Sequence, residues 1–221
     1  MKKLDDCIYN KICQNECTTN CIRYIQMNRL LELSNLPKCF KKSFVIYSTD
    51  ADRNEYIKLN DIKNNIKSFV EEGKNLYICS STCGNGKTTW ATKLMIKYFD
   101  LTWDGSYDVT RGLYVHTPTL LLDLKNFNNR PEYINRIKDA DLVIWDDLAF
   151  SGKLTEYEHE QLLMFIDTRI NSGKSNIYTS NQTKLEDLTR FIGGRLASRV
   201  FNGSQIITFH SNDFRANLGG N

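Results

Sequence analysis

The stretch YICSSTCGNGKTTWATKLM, Tyr77 to Met95, decides how the rest of this sequence is read. A short apolar run enters a loop with two glycines and a lysine, and Trp90, Ala91, Leu94, Met95 and Tyr98 then repeat at helical spacing. Strand, glycine-bearing loop and helix in that order make a phosphate cradle. Successive backbone N–H groups point at phosphate oxygens, and the following helix presents its positive end to the same charge. The loop and first helical turn run Ser81, Thr82, Cys83, Gly84, Asn85, Gly86, Lys87, Thr88, Thr89, against the pattern G-x-x-x-x-G-K-[ST]. Gly84 and Gly86 let the loop curl closely, Lys87 reaches the β and γ phosphates, and the Thr88 hydroxyl binds magnesium. Ser81 stands where the pattern has its first glycine. Serine fits there at negative φ and costs about 1 kcal/mol if a left-handed backbone is required.

Outward from the cradle, from about residue 41, short apolar runs alternate with helix-period stretches, as in a parallel sheet covered by helices. The expected strands are LYICS (76–80), GLYVHT (112–117), DLVIWDD (141–147), SNIYTSN (175–181) and QIITFH (205–210). Leu162, Leu163, Phe165, Ile166 and Ile170 form a second helical core stripe, and Trp90, Trp103 and Trp145 read as packing residues. The third run closes on two carboxylates. In a parallel sheet its carboxyl end lies beside the cradle, so Asp146 can hold the magnesium shell while Asp147 orients and polarises an attacking water. Asp147 is one methylene shorter than the more usual Glu, which points to a slow magnesium-dependent ATPase.

With NIYTSNQT, FIGGRLASRV and ITFHSNDFR added, residues 35 to 216 resemble the AAA+ ATPases of the DnaC/DnaI type, the bacterial and phage helicase loaders, and the related IstB-type transposition helpers. The resemblance implies a five-stranded parallel sheet ordered 5-1-4-3-2, flanked by helices and lacking a C-terminal lid domain. It places Asn181 as the sensor of the γ-phosphate and Arg199, one turn after Arg195, as an arginine finger. A finger supplied by a neighbouring copy spreads charge over the transferring oxygens and implies self-association. Arg215 matches a late arginine that touches nucleotide.

The first 40 residues differ from the rest. Five of the seven cysteines fall within the first 39 positions, and Pro37 argues against one continuous helix through LLELSNLPKCFKK, so a boundary is expected between a 1–40 segment and a 41–221 ATPase domain. CIYNKICQNECTTNC places Cys7, Cys13, Cys17 and Cys21 at spacings of five, three and three residues, compatible with one tetrahedral zinc site but without a tight C-x2-C pair. A straight helix would hold Cys13 and Cys21 about 12 Å apart, whereas sulfurs on one zinc lie within about 4 Å, so the helix must break, with TTN as the place. A short segment also lacks a core of its own, which favours a metal staple. Zinc leads; an iron–sulfur cluster and plain thiols stay open. Cys39, Cys79, Cys83 and the isolated His116, His159 and His210 show no metal spacing. By the resemblance this segment, with Ile22, Ile25, Leu30 and Leu31, grips a hexameric DnaB-type replicative helicase; the alternative is a helix that packs on the ATPase domain.

The chain has 221 residues, 41% apolar and 25% charged, in line with a soluble globular protein, and a formal charge of +3 that neither announces nor excludes DNA binding. No signal peptide follows MKKLDDCIYN and no apolar run approaches the roughly 18 residues of a membrane helix, so a cytoplasmic place in a bacterium, host-encoded or phage-encoded, is expected. The favoured reading is an ATP-dependent loader of the replicative helicase onto single-stranded DNA. The alternatives are a transposition helper on duplex DNA and a nucleotide-dependent adaptor that no longer hydrolyses. A small-molecule kinase is disfavoured, since no Arg-rich closing lid follows the third strand.

Overall fold

The computed structural model describes residue 4 and residues 7–9, 13–14, 18–40, 49–104, 109–125, 131–149 and 154–211. Five strands, β1 (Asn75–Cys79), β2 (Gly112–His116), β3 (Leu142–Asp146), β4 (Ser175–Ser180) and β5 (Gln205–Thr208), form one parallel sheet. Its order, β2-β3-β4-β1-β5, is the expected 5-1-4-3-2 read from the opposite edge. The central strands are buried on both faces, which is why they read as continuous apolar runs rather than alternating ones. Edge strand β5 is the more exposed.

Alternate strand residues feed two helical layers. Leu76, Ile78, Leu142, Ile144 and Ile177 pack with α1 (Ile22–Leu33), α2 (Arg53–Asn64), α3 (Ile66–Glu71) and α4 (Lys87–Thr102). Tyr77, Cys79, Val143, Trp145 and Tyr178 pack on the other face with α5 (Thr117–Lys125), α6 (Pro131–Asp139), α7 (Glu156–Asn171), α8 (Leu185–Ile192) and α9 (Gly194–Asn202). Trp90 and Trp145 lie in these cores, whereas Trp103 is 38% exposed at the end of α4.

At the end of the sheet away from the cradle, fully buried Arg169 on α7 ties three elements together. Its guanidinium donates to the carbonyls of Ile137 and Ala140 (2.7 Å each) and Ser175 (2.6 Å), and to Asn176 Oδ1 (2.7 Å). Burial lowers its pKa to about 10.

A turn at 18–21, closed by Cys21 N–H to the Thr18 carbonyl (3.1 Å), precedes α1, so α1 starts only after TTN. Met27, Leu30 and Leu31 of α1, together with Cys7 and Tyr9, share the core that includes Tyr98 and Phe99 of α4. Ile22 and Ile25 stay 62% and 38% exposed. Helix α1 ends at Ser34, and Asn35 turns the chain at φ 54° ahead of Pro37. Among the described residues no helix is long and apolar enough to cross a membrane.

Candidate nucleotide site

β1 delivers the chain into the loop 80–86, and α4 starts at Lys87. Gly84 (φ 71°) and Gly86 (φ 95°) take up the left-handed backbone this curl requires. Ser81 does not: Asn35 and Asp147 are the only non-glycine residues at positive φ among those described. Ser81 therefore escapes the left-handed cost, and its exposed side chain leaves the loop path undisturbed.

The loop is built around buried Ser80. Its Oγ accepts from Asn85 Nδ2 and from the Thr82 N–H (3.1 Å), and Asn85 Oδ1 in turn accepts from Lys87 Nζ (3.2 Å). Lys87 also donates to the Thr82 carbonyl (2.9 Å). Burial lowers the pKa of Lys87, opposed by the charges of neighbouring acidic groups that include Asp147 and Asp146. Cys83 and Thr89 complete the cradle, the first exposed and the second half-buried. Thr82 Oγ1 donates to the Ser211 carbonyl (3.1 Å), and buried Asp52, at the start of α2, accepts from the N–H groups of His210 (2.6 Å) and Ser211 (3.2 Å). These bonds fix the loop to the chain leaving β5.

Asp146 ends β3 as a buried residue, 8% exposed, and its carboxylate is met by hydroxyls. Its Oδ1 accepts from Thr88 Oγ1 (2.7 Å) and Thr179 Oγ1 (2.6 Å), and its Oδ2 from the Tyr114 phenol (2.6 Å). The Thr88 hydroxyl and Asp146 carboxylate, hard oxygen donors on separate elements, thus converge as a magnesium shell requires. Asp147 follows at φ 56°, a conformation Asp tolerates better than most residues, and its N–H donates to Thr179 Oγ1 (3.0 Å). Burial and the neighbouring Asp146 charge raise the Asp147 pKa. Asn181 follows β4, whose Ser180 pairs with Cys79 at the end of β1, so it stands at the cradle rim.

Arg199 and Arg195 lie on α9 and turn to Asp167 on α7. Arg199 Nε pairs with Asp167 Oδ1, and Arg195 lies 3.9 Å from Oδ2. Arg215 falls outside the described residues.

The zinc expectation needs correction for the cysteines that are described. No group of three His, Cys, Asp or Glu able to hold a metal occurs among the described residues. Cys7 is buried in the core, Cys13 packs against its margin, and Cys21 is exposed at the start of α1; Cys17 lies outside the described residues. Apolar packing of Cys7 and Tyr9 takes the place in this segment that the metal staple was expected to fill.

Sequence reasoning missed Tyr114 and Thr179, which orient Asp146, as well as Ser80, Asp52 and Asp167. Strand register was the available signal: Tyr114 pairs with Ile144 two positions before the Asp146 level, and Thr179 lies two before Asn181.

No protein-family model and no curated protein sequence matches the chain. Solved structures do. The DnaC helicase loader aligns with a TM-score of 0.62 at 19% identity, covering 74% of this chain and 92% of that one. DnaI aligns with a TM-score of 0.62 at 19% identity, covering 81% and 94%. AMPPCP-bound DnaA from Aquifex aeolicus gives 0.57 at 19% identity, covering 81% of this chain and 52% of that one. At these identities the likeness is one of fold. The chain has the fold found in the DnaC and DnaI helicase loaders and in DnaA.

Proposed function

We propose that the chain binds ATP with magnesium at this cradle, hydrolyses it slowly within an assembly of copies, and uses its nucleotide state to hold and release a hexameric DnaB-type replicative helicase as that helicase is loaded onto single-stranded DNA. The observation that carries the first half is the meeting of Thr88 and Asp146 at 2.7 Å beside Lys87. The likeness in fold to helicase loaders supports the second half.

In this reading the 81–89 backbone and Lys87 hold the phosphates, with Arg215 as a further nucleotide contact. Thr88 and Asp146 hold the metal, whose charge, when bound, offsets that of the β and γ phosphates. Asp147, placed by Thr179, orients the attacking water, and Asn181 monitors the γ-phosphate. Arg199 leaves Asp167 to serve the site of a neighbouring copy. The work is done in the cytoplasm of a bacterium, by a host or phage product, with the 1–40 segment and its exposed Ile22 and Ile25 as the grip on the helicase.

The test is affinity capture from bacterial lysate with ATP and magnesium, comparing the unaltered chain with an Ile22→Glu, Ile25→Glu variant, with retained proteins identified by mass. A replicative helicase held by the first and lost by the second is the expected result. A transposase in its place would contradict the loader reading.

A further inference from the structure

Tyr114 lies on edge strand β2 and joins two places that the sequence keeps far apart. Its N–H donates to the Ser34 carbonyl at the end of α1 (2.7 Å), and its phenol donates to Asp146 Oδ2 (2.6 Å). The first bond engages the outer edge of β2 with the N-terminal segment. The second sets the carboxylate oxygen that Thr88 and Thr179 leave free, so the orientation of Asp146 depends on three hydroxyls, one of them on the strand that α1 braces.

The junction is local and borders an open space. Ser34 is held by its own Oγ on the Leu31 carbonyl (2.8 Å), and Arg136 of α6 reaches across to the Leu33 carbonyl. Beside it lies a cavity of about 430 Å³ whose lining includes Asn35, Tyr114, Tyr133 and Arg136. The space opens at Asn35, the residue that follows the α1 cap.

We propose that Tyr114 is a positioning residue that couples the seat of α1 to the orientation of Asp146, so that displacement of α1 by a bound protein loosens the hold on magnesium and nucleotide. This rests on the reading above in which Thr88 and Asp146 hold the metal. Linkage makes the effect reciprocal: the factor by which magnesium–nucleotide steadies α1 is the factor by which an undisturbed α1 tightens magnesium–nucleotide.

The experiment uses the full chain and N-methylanthraniloyl-ATP, with fluorescence binding titrated against magnesium and amide exchange followed over residues 22–36. In the unaltered chain, magnesium with nucleotide slows exchange over 22–36. Tyr114→Phe keeps the ring and the backbone N–H but removes the hydroxyl; it raises the magnesium concentration for half-maximal nucleotide binding about tenfold, as for loss of a hydrogen bond to a charged group, and abolishes the exchange response. Arg136→Gln, which removes the hold on the Leu33 carbonyl and a long bond to Thr110 Oγ1 (3.4 Å) but no contact with Asp146, raises the magnesium requirement about threefold in the unaltered background and not at all beside Tyr114→Phe. Additive effects of the two substitutions, or an exchange response that survives Tyr114→Phe, overturn the relay while leaving the nucleotide site in place. Failure of the unaltered chain to bind the nucleotide at any magnesium concentration overturns the site reading, and the relay with it.

Discussion

The cradle and the N-terminal segment are held in opposite ways. In the cradle, Ser80 gathers Asn85 and Thr82, and Asn85 gathers Lys87, so an internal network shapes the loop, and Thr82 Oγ1 ties it to the Ser211 carbonyl. In the N-terminal segment the bonds reach outward. Tyr9 and Arg23 meet Asp100 on α4 at 2.9 and 2.6 Å, Arg23 stacks over the Tyr9 ring at 4.0 Å, and Ser34 binds β2. A loop that organises itself can present a fixed surface to a ligand. A segment that borrows its order from its neighbours can be released by changing them.

The largest effect should come from Arg199→Ala. ATP hydrolysis by the assembled protein should fall about a thousandfold while nucleotide binding by each copy is kept, as for removal of a finger supplied in trans. Phosphate release against protein concentration, beside fluorescent nucleotide binding, checks both parts. An unchanged rate would leave the Arg199–Asp167 pair as an ordinary exposed salt bridge, worth little.

Next, Leu31→Ala, at a site 2% exposed, should cost about 2–5 kcal/mol of stability in urea denaturation, as for other buried leucines. This sharpens the comparison: if stability hardly changes, the segment is not part of the common core. Asp147→Asn should lower phosphate release about a hundredfold with nucleotide binding retained, the scale expected for loss of a group that handles a proton. Smallest is Ile22→Ser with Ile25→Ser, expected to shift stability by less than about 0.5 kcal/mol because both side chains face solvent. The same substitutions should nevertheless weaken helicase capture, so that binding and stability separate on one helix.

Much of the sheet was legible because buried parallel strands appear as short apolar runs. Each of the five runs lies within two residues of an observed strand at either end, and the sheet order follows the family resemblance. The meeting of Lys87, Thr88, Asp146 and Asp147 at one end of the sheet was legible because a strand that runs into a glycine-bearing loop and a strand that closes on carboxylates end at the same edge of a parallel sheet. Tyr114, Thr179 and Asp52 were not, since their roles arise from register and closure between elements distant in sequence. A tyrosine in the middle of an apolar strand looks like core until the neighbouring strand brings a carboxylate within reach. The cysteines show the converse: their spacing allowed a metal site, but Cys7 went into the apolar core and Cys21 to the start of a helix. Spacing constrains a site only when the backbone between the residues is fixed, and here the turn at 18–21 and the packing of Tyr9 decided the path.

The most direct test of the central claim is calorimetric titration of the full chain and of Lys87→Ala with ATP, each with and without magnesium. The account predicts that the unaltered chain binds ATP, that magnesium tightens the binding, and that Lys87→Ala weakens it at least a hundredfold while retaining the same thermal unfolding profile. Equal ATP affinity in the two chains, or binding indifferent to magnesium, would contradict it.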